Sequence, residues 1–345
     1  MTRANAVKLL KTLPGLVISA FFLWYTFWPR IDAKTGKHLG VSPDEFRTLH
    51  IVAPLWILGL VGFGIVSYSL RIVRWHRMMR STGATLLTCA RVLMTSLAAN
   101  NILPFRIGDI MRCFTYAPDL KTTPSVILST VILEKLLDIF VLVSFFVVFL
   151  GPAASPHLRL TSHSFLAFSF VALIVLLLGA RVLEAPIRRL FTRLPEKPIL
   201  LKAENWIILA LECIRNIGVT GSLFLLLETI LIWSCEGLQF VSFARIIGLQ
   251  TGPAGPWQAV AYANLSFLIP SSPGGIGPFE MATKTALVSH GADPVQATLY
   301  GLALHVWMLV VITAVGGAMF MAHRIRAAAR KPLLQEIETL PVELP

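Results

Sequence analysis

Asn100-Asn101-Ile102-Leu103-Pro104-Phe105-Arg106-Ile107-Gly108-Asp109 and Pro270-Ser271-Ser272-Pro273-Gly274-Gly275-Ile276-Gly277-Pro278 decide how this chain is read. Each interrupts a largely apolar stretch, residues 84–117 and 256–290, and neither can continue a helix. Proline lacks a backbone donor and clashes with the preceding turn, and glycine pairs allow backbone angles that other residues avoid. The arms flanking each break are about 13–17 residues, roughly 20–25 Å as helix and short for a hydrocarbon core of roughly 30 Å. Both stretches are expected to be re-entrant helical hairpins, although length alone leaves two full crossings open. Unwound backbone at membrane depth is tolerable only inside protein or along a wet cavity. The breaks should therefore face a pocket.

Composition agrees with a membrane setting. Of the 345 residues 55% are hydrophobic and only 14% charged, too apolar for a soluble chain. A disordered chain, a disulfide-stapled secreted domain and a soluble nucleic-acid binder are excluded, despite a net charge of +12. Cys89, Cys113, Cys213 and Cys235 are scattered in or beside apolar stretches without metal-ligand spacing, and read as packing residues. The first apolar run, Leu13 to Trp28, lacks a small-residue cleavage site and is kept as a retained helix.

Complete spans are expected near 9–28, 51–70, 124–150, 164–180, 219–247 and 295–322. The reading is an all-α integral membrane protein, residues 1–345 forming a single polytopic domain with about six full transmembrane helices and the two opposed hairpins. Lys and Arg number 17 on the side of the termini against five on the other, which places both termini in the cytoplasm and the protein in the cytoplasmic (inner) membrane. Arg71, Arg74, Arg77 and Arg80 enter that tally and read as orientation determinants and anionic-lipid contacts.

Residues 51–150 and 219–322 form two halves of opposite topology, each a span, a hairpin and a span. Residues 151–218 link them, and 323–345 are a cytoplasmic tail. The breaks share a loose pattern, Asn101, Pro104, Gly108, Asp109 against Asn264, Pro270, Gly277, Glu280. Broken segments at corresponding positions of inverted halves point to a transporter's midplane site.

Charge inside a span usually meets a partner or a cavity. Glu134, Lys135 and Asp138 fall near mid-depth, with Glu134 and Asp138 on one helix face at i,i+4. They either exchange charge with a substrate or proton, or are neutralised by Lys135 and a hairpin arginine. The basic residues of the first hairpin are Arg91, Arg106 and Arg112. Arg106 and Arg112 are candidates for gripping a phosphate through paired guanidinium donors, with Asp109 orienting one of them; a closed Arg–Asp pair is the plainer reading. Around Pro273, Gly274, Gly275 and Gly277 a new helix starts with free N–H groups, a natural anion site. Glu280 belongs to that site or is a helix-start acid. His305 is either a hydrogen-bonded packing residue or, with Glu134 and Asp138, a proton-coupling group. Glu228 and Glu236 read as cavity lining.

The chain carries no P-loop, GxSxG elbow or HExxH, and no stretch long enough for a separate catalytic domain. Taken together, Asn101-x-x-Pro104-x-Arg106-x-Gly108-Asp109-x-x-Arg112, then Glu134-Lys135-x-x-Asp138, then Pro270-x-x-Pro273-Gly274-Gly275-x-Gly277-x-x-Glu280 resemble the lysylphosphatidylglycerol synthetase transmembrane family, also called the flippase-like domain family. The resemblance covers nearly the whole chain. It departs at Lys135, where the family more usually has Arg.

The resemblance implies movement of a phospholipid, hopanoid or lipid-linked headgroup between leaflets. Membrane lipids of anionic headgroup are the expected partners, and no cofactor or metal, no nucleic acid and no catalysed reaction is expected. A homo-oligomer is compatible with it. Lysine transfer is not implied, because members that make lysyl-lipid carry a soluble aminoacyltransferase domain that is not expected in these residues. The rival readings are an integral-membrane transferase acting on a polyprenyl or glycolipid substrate, with Asp109 or Glu134 as base, and a non-transporting assembly partner.

Overall fold

The computed structural model describes residues 16–28, 41–150, 155–179, 183–193, 195, 197–269 and 272–338, and among them there are helices and no strands. Eleven α-helices order the described chain: α1 (Leu16–Phe27), α2 (Trp56–Met78), α3 (Leu86–Ile102), α4 (Ile107–Phe114), α5 (Pro124–Val148), α6 (Pro156–Gly179), α7 (Glu184–Phe191), α8 (Pro198–Ile246), α9 (Gly255–Ser266), α10 (Pro278–Ser289) and α11 (Pro294–Glu338). Proline opens α5, α6, α8, α10 and α11, where its missing N–H has no partner to lose. Asp293 caps α11 by accepting from the Val295 and Gln296 N–H groups at 3.0 and 3.1 Å.

Both expected hairpins are helix–break–helix units. In the first, α3 ends at Ile102, a 3₁₀ turn spans Pro104–Arg106, and α4 follows. In the second, α9 ends at Ser266 and a 3₁₀ turn at Pro273–Gly275 leads to α10. Pro270 and Ser271 lie outside the described residues. The long α8 is broken at Gly218 (φ 73, ψ 173), one residue before the span expected to begin at 219.

Among the described residues three helices are long and apolar enough to cross a membrane by length and composition: Trp56–Met78, Thr220–Ile246 and Pro294–Ala328. Leu16–Phe27 is a shorter apolar helix, and the start of the expected 9–28 span lies outside the described residues. Outward faces are apolar: Leu58, Val61 and Ile65 on α2, Leu223, Leu227 and Leu231 on α8, and Val306 and Val310 on α11 are all exposed. Large exposed apolar faces of this kind need lipid.

One expectation is corrected. The span expected at 51–70 is α2 at 56–78, so Arg71, Arg74 and Arg77 are not a free basic patch beyond its end: they lie within the helix, facing α8 and α5. Among the four, Arg80 remains exposed beyond the helix end. Two apolar cores flank these charges. One gathers Trp75, Leu93, Leu133 and Leu137, the other Phe240, Phe279, Tyr300 and Leu304.

Candidate functional site

The two breaks meet. The Asn101 amide, at the end of α3, donates to the Leu309 carbonyl (3.4 Å) and to Thr313 Oγ1 (3.1 Å) on α11, and a Cβ on Gly274 would stand 3.5 Å from the Asn101 carbonyl oxygen. Between them opens a cavity of about 570 Å³, within the roughly 300–1,000 Å³ of ordinary ligand pockets. Loss of the two Asn101 bonds should loosen the junction, so Asn101→Ala is expected to lower stability by about 1–2 kcal/mol, read as an earlier thermal unfolding transition in detergent.

The first break is wound tightly around its own polar groups. Asn100 Nδ2 donates to Asp109 Oδ1 (3.1 Å) and Asn100 Oδ1 accepts from the Asp109 N–H (3.2 Å). This reciprocal pair holds α4 against the end of α3. Arg106 has φ 53, a left-handed conformation that is uncommon outside glycine. Its side chain is half exposed at the cavity, with Nε 3.5 Å from Asp109 and the guanidinium 5.8 Å from the Phe267 ring centroid.

Asn101, Arg106, Asp109, Asp138, Gly274, Gly275 and His305, all singled out in the sequence, line the cavity. Arg112, Glu134, Pro273, Gly277 and Glu280 do not line it. Arg112 is buried, donates to Glu134 at 2.8 Å and lies over the Trp75 ring at 4.5 Å. The pair joins α4 to α5. Glu134 and Asp138, expected to meet one neighbour, meet two: Asp138 Oδ1 accepts from Arg74 (2.7 Å) and from Trp233 Nε1 (3.2 Å), and Arg74 also donates to Thr229 (2.7 Å). Arg91 is bound to Asp119 at 2.8 Å, away from the cavity.

The glycine-rich turn is not an open anion site at Gly277. Its N–H, freed by the break, donates to Glu280 Oε2 at 2.6 Å, so the helix-start acid fills the position a headgroup would take. Glu280 Oε1 lies 2.7 Å from His305 Nδ1, and His305 Nε2 lies 3.0 Å from the Gly274 carbonyl.

Among the cavity residues not assigned to the site from sequence are Tyr68, Arg71, Lys135 and Trp233. Arg71 is paired with Glu236 and lies over the Trp233 ring at 4.6 Å. The signal was present: three arginines at i,i+3 spacing against Glu228 and Glu236, eight apart on an antiparallel helix. Lys135 is about a third exposed, and its nearest carboxylate, Glu134 at 3.8 Å, is already bound to Arg112. Across this cluster five cations (Arg71, Arg74, Arg106, Arg112, Lys135) face four carboxylates (Asp109, Glu134, Asp138, Glu236). Within this set the cations outnumber the carboxylates by one, and Lys135 stands at the cavity wall with its carboxylate contact shared with Arg112.

Apolar outer faces around a charged inner cavity define an integral membrane protein. Residues 13–316 match the family model for the lysylphosphatidylglycerol synthase TM region, and the chain belongs to that family. A lipid-related membrane function follows from it. No curated protein and no solved structure matches the chain.

Proposed function

We propose that the protein moves a phosphate-bearing lipid between the leaflets of the cytoplasmic membrane, the headgroup passing through the cavity between the two helix breaks and no bond being made or broken. The observation that carries this reading is the unbalanced cation at a cavity formed where both breaks converge: a lipid phosphate is an anion of matching charge, and Arg106 and Lys135 are positioned to receive it. Arg112 takes no part in binding and instead anchors α4.

A second, apolar cavity of about 230 Å³ lies between α2, α8 and α11, and Tyr68, Met308 and Ile312 border both. A headgroup in the first cavity leaves a direct path for a chain in the second. The proposed topology has six crossings, both termini cytoplasmic, and the hairpins re-entrant from opposite faces. Its support is the exchange between halves: α3 packs on α11, α9 on α5, and α2 on α8.

Proteoliposomes with fluorescent phospholipids test it. Wild type is expected to move lipid faster than protein-free vesicles, and Lys135→Gln at least about tenfold more slowly than wild type, the loss of one charge-assisted contact of about 1.5–3 kcal/mol. Movement at the protein-free rate for every phospholipid class contradicts the reading. A covalently altered lipid in the presence of a donor would replace it with a transferase.

A further inference from the structure

Each half of the protein ties the second arm of its hairpin to the next long helix by one buried pair: Arg112 of α4 to Glu134 of α5, and Glu280 of α10 to His305 of α11. The two ties differ in chemistry. A guanidinium keeps its charge at any physiological pH, so the first tie is permanent. The second contains histidine, which ordinarily gains and loses a proton between roughly pH 5 and pH 8.

We propose that the Glu280–His305 pair is a proton-binding site whose loading clamps the second helix break, and that release of one proton frees the Gly274 turn from α11 and lets the two breaks part. Both ring nitrogens of His305 face acceptors, the Glu280 carboxylate at 2.7 Å and the Gly274 carbonyl at 3.0 Å. A carbonyl only accepts, so Nε2 must carry hydrogen. The contact to Glu280 also needs a proton, on Nδ1 or on Oε1. Imidazolium with carboxylate and imidazole with neutral acid hold the same number, so this geometry is the loaded state in either form.

Removing one proton leaves a single hydrogen for two acceptors. Either Nε2 turns a lone pair toward the Gly274 carbonyl or Nδ1 turns one toward the carboxylate, and one contact fails. The backbone joined to that contact is the least restrained in the hairpin: Gly274, Gly275 and Gly277 have φ 71, 74 and 101. Gly274 also faces Asn101 across the junction, so its release acts directly on the cavity. Phe279 stacks on the His305 ring at 3.9 Å and holds its plane.

Apart from Lys135, the charged groups around the pair are committed elsewhere. Facing it across the shared cavity are Arg106 and Asp109 of the first hairpin, Lys135 and Asp138 of α5, Arg71 of α2 and Glu236 of α8. Of these Arg71 pairs with Glu236, Asp138 with Arg74, and Arg106 stands by Asp109. On the helices packed against it, Lys284 of α10 donates to the Thr26 carbonyl of α1, Arg91 of α3 pairs with Asp119, and α9 has no ionisable residue except Tyr262. Glu280 is thus the acid in contact with His305.

Hydrogen exchange at the amides of Gly274 to Glu280, divided by the intrinsic rate at each pH, reads the clamp without requiring transport. Between roughly pH 5 and pH 8, wild type is expected to lose protection there by at least about tenfold while α5 stays constant. Glu280→Gln imitates the loaded acid, its carbonyl accepting from Gly277 and its amide donating to neutral Nδ1, and should keep the turn protected throughout. His305→Gln cannot span both acceptors and should leave the turn unprotected at every pH. Wild-type exchange that does not change with pH, or Glu280→Gln that follows the wild-type curve, overturns the proposal. The consequence for lipid movement rests on the transport reading: a protein with this exchange pattern that moves no lipid would remove that reading and leave the proton site standing.

Discussion

Replacing Arg74 by Ala is expected to cost about 3–5 kcal/mol of stability. The Arg74 side chain is 1% exposed and satisfies Asp138 and Thr229 together. Its loss would leave Asp138 charged, buried at 5% exposure and held only by Trp233 Nε1. An unpaired buried charge is among the largest single penalties available to a folded chain. Arg77→Ala is the control. Arg77 also pairs with an acid, Glu228 at 2.8 Å, but its side chain is 45% exposed and solvent screens it. Thermal unfolding in detergent should separate the two clearly. Arg74→Met combined with Asp138→Leu should be more stable than either single change, since it removes both charges at once. Equal losses for Arg74→Ala and Arg77→Ala would contradict the buried pair.

Gly108→Ala should be nearly as damaging, through space rather than charge. A Cβ at Gly108 would fall well inside contact distance of the Ser96 carbonyl oxygen and 2.6 Å from Asn100 Oδ1. The first is backbone of α3 and cannot swing aside, so α4 must move away. The Asn100–Asp109 exchange of hydrogen bonds then breaks, and Arg112 is drawn from Glu134. Overpacking of this kind costs about 1–3 kcal/mol or more, and here it adds the strain of a second buried ion pair. Gly62→Ala, where a Cβ meets nothing within 4 Å, should be neutral or stabilise α2 by up to about 1 kcal/mol. Lipid movement should fall with Gly108→Ala and persist with Gly62→Ala.

These two sites also mark what the sequence could and could not disclose. The breaks were legible because Pro104, Pro273 and the Gly274–Gly277 run forbid helix whatever surrounds them. Gly218 could likewise be placed at a boundary. The arginines of α2 were not, because Arg71, Arg74 and Arg77 form the same pattern whether they face cytoplasm or a partner helix. Only the position of α8 decides, and that is a tertiary fact. Glu134 and Asp138 share a face, as their i,i+4 spacing requires, yet a face wide enough for two carboxylates admits two different arginines. Lys135, one residue from Glu134, points round the helix into the cavity, where the proposed function gives it the role that sequence reasoning gave to Arg112.

The claim on which the account turns is that the converging breaks hold one lipid phosphate against Lys135 and Arg106. Native mass spectrometry of the protein released from membranes measures this most directly. Wild type should carry a phosphate-bearing lipid that survives mild activation, and Lys135→Glu, with charge reversed at the cavity wall, should lose it while remaining folded. Equal retention of the same lipid by wild type and Lys135→Glu, or a wild type that carries none, would contradict it.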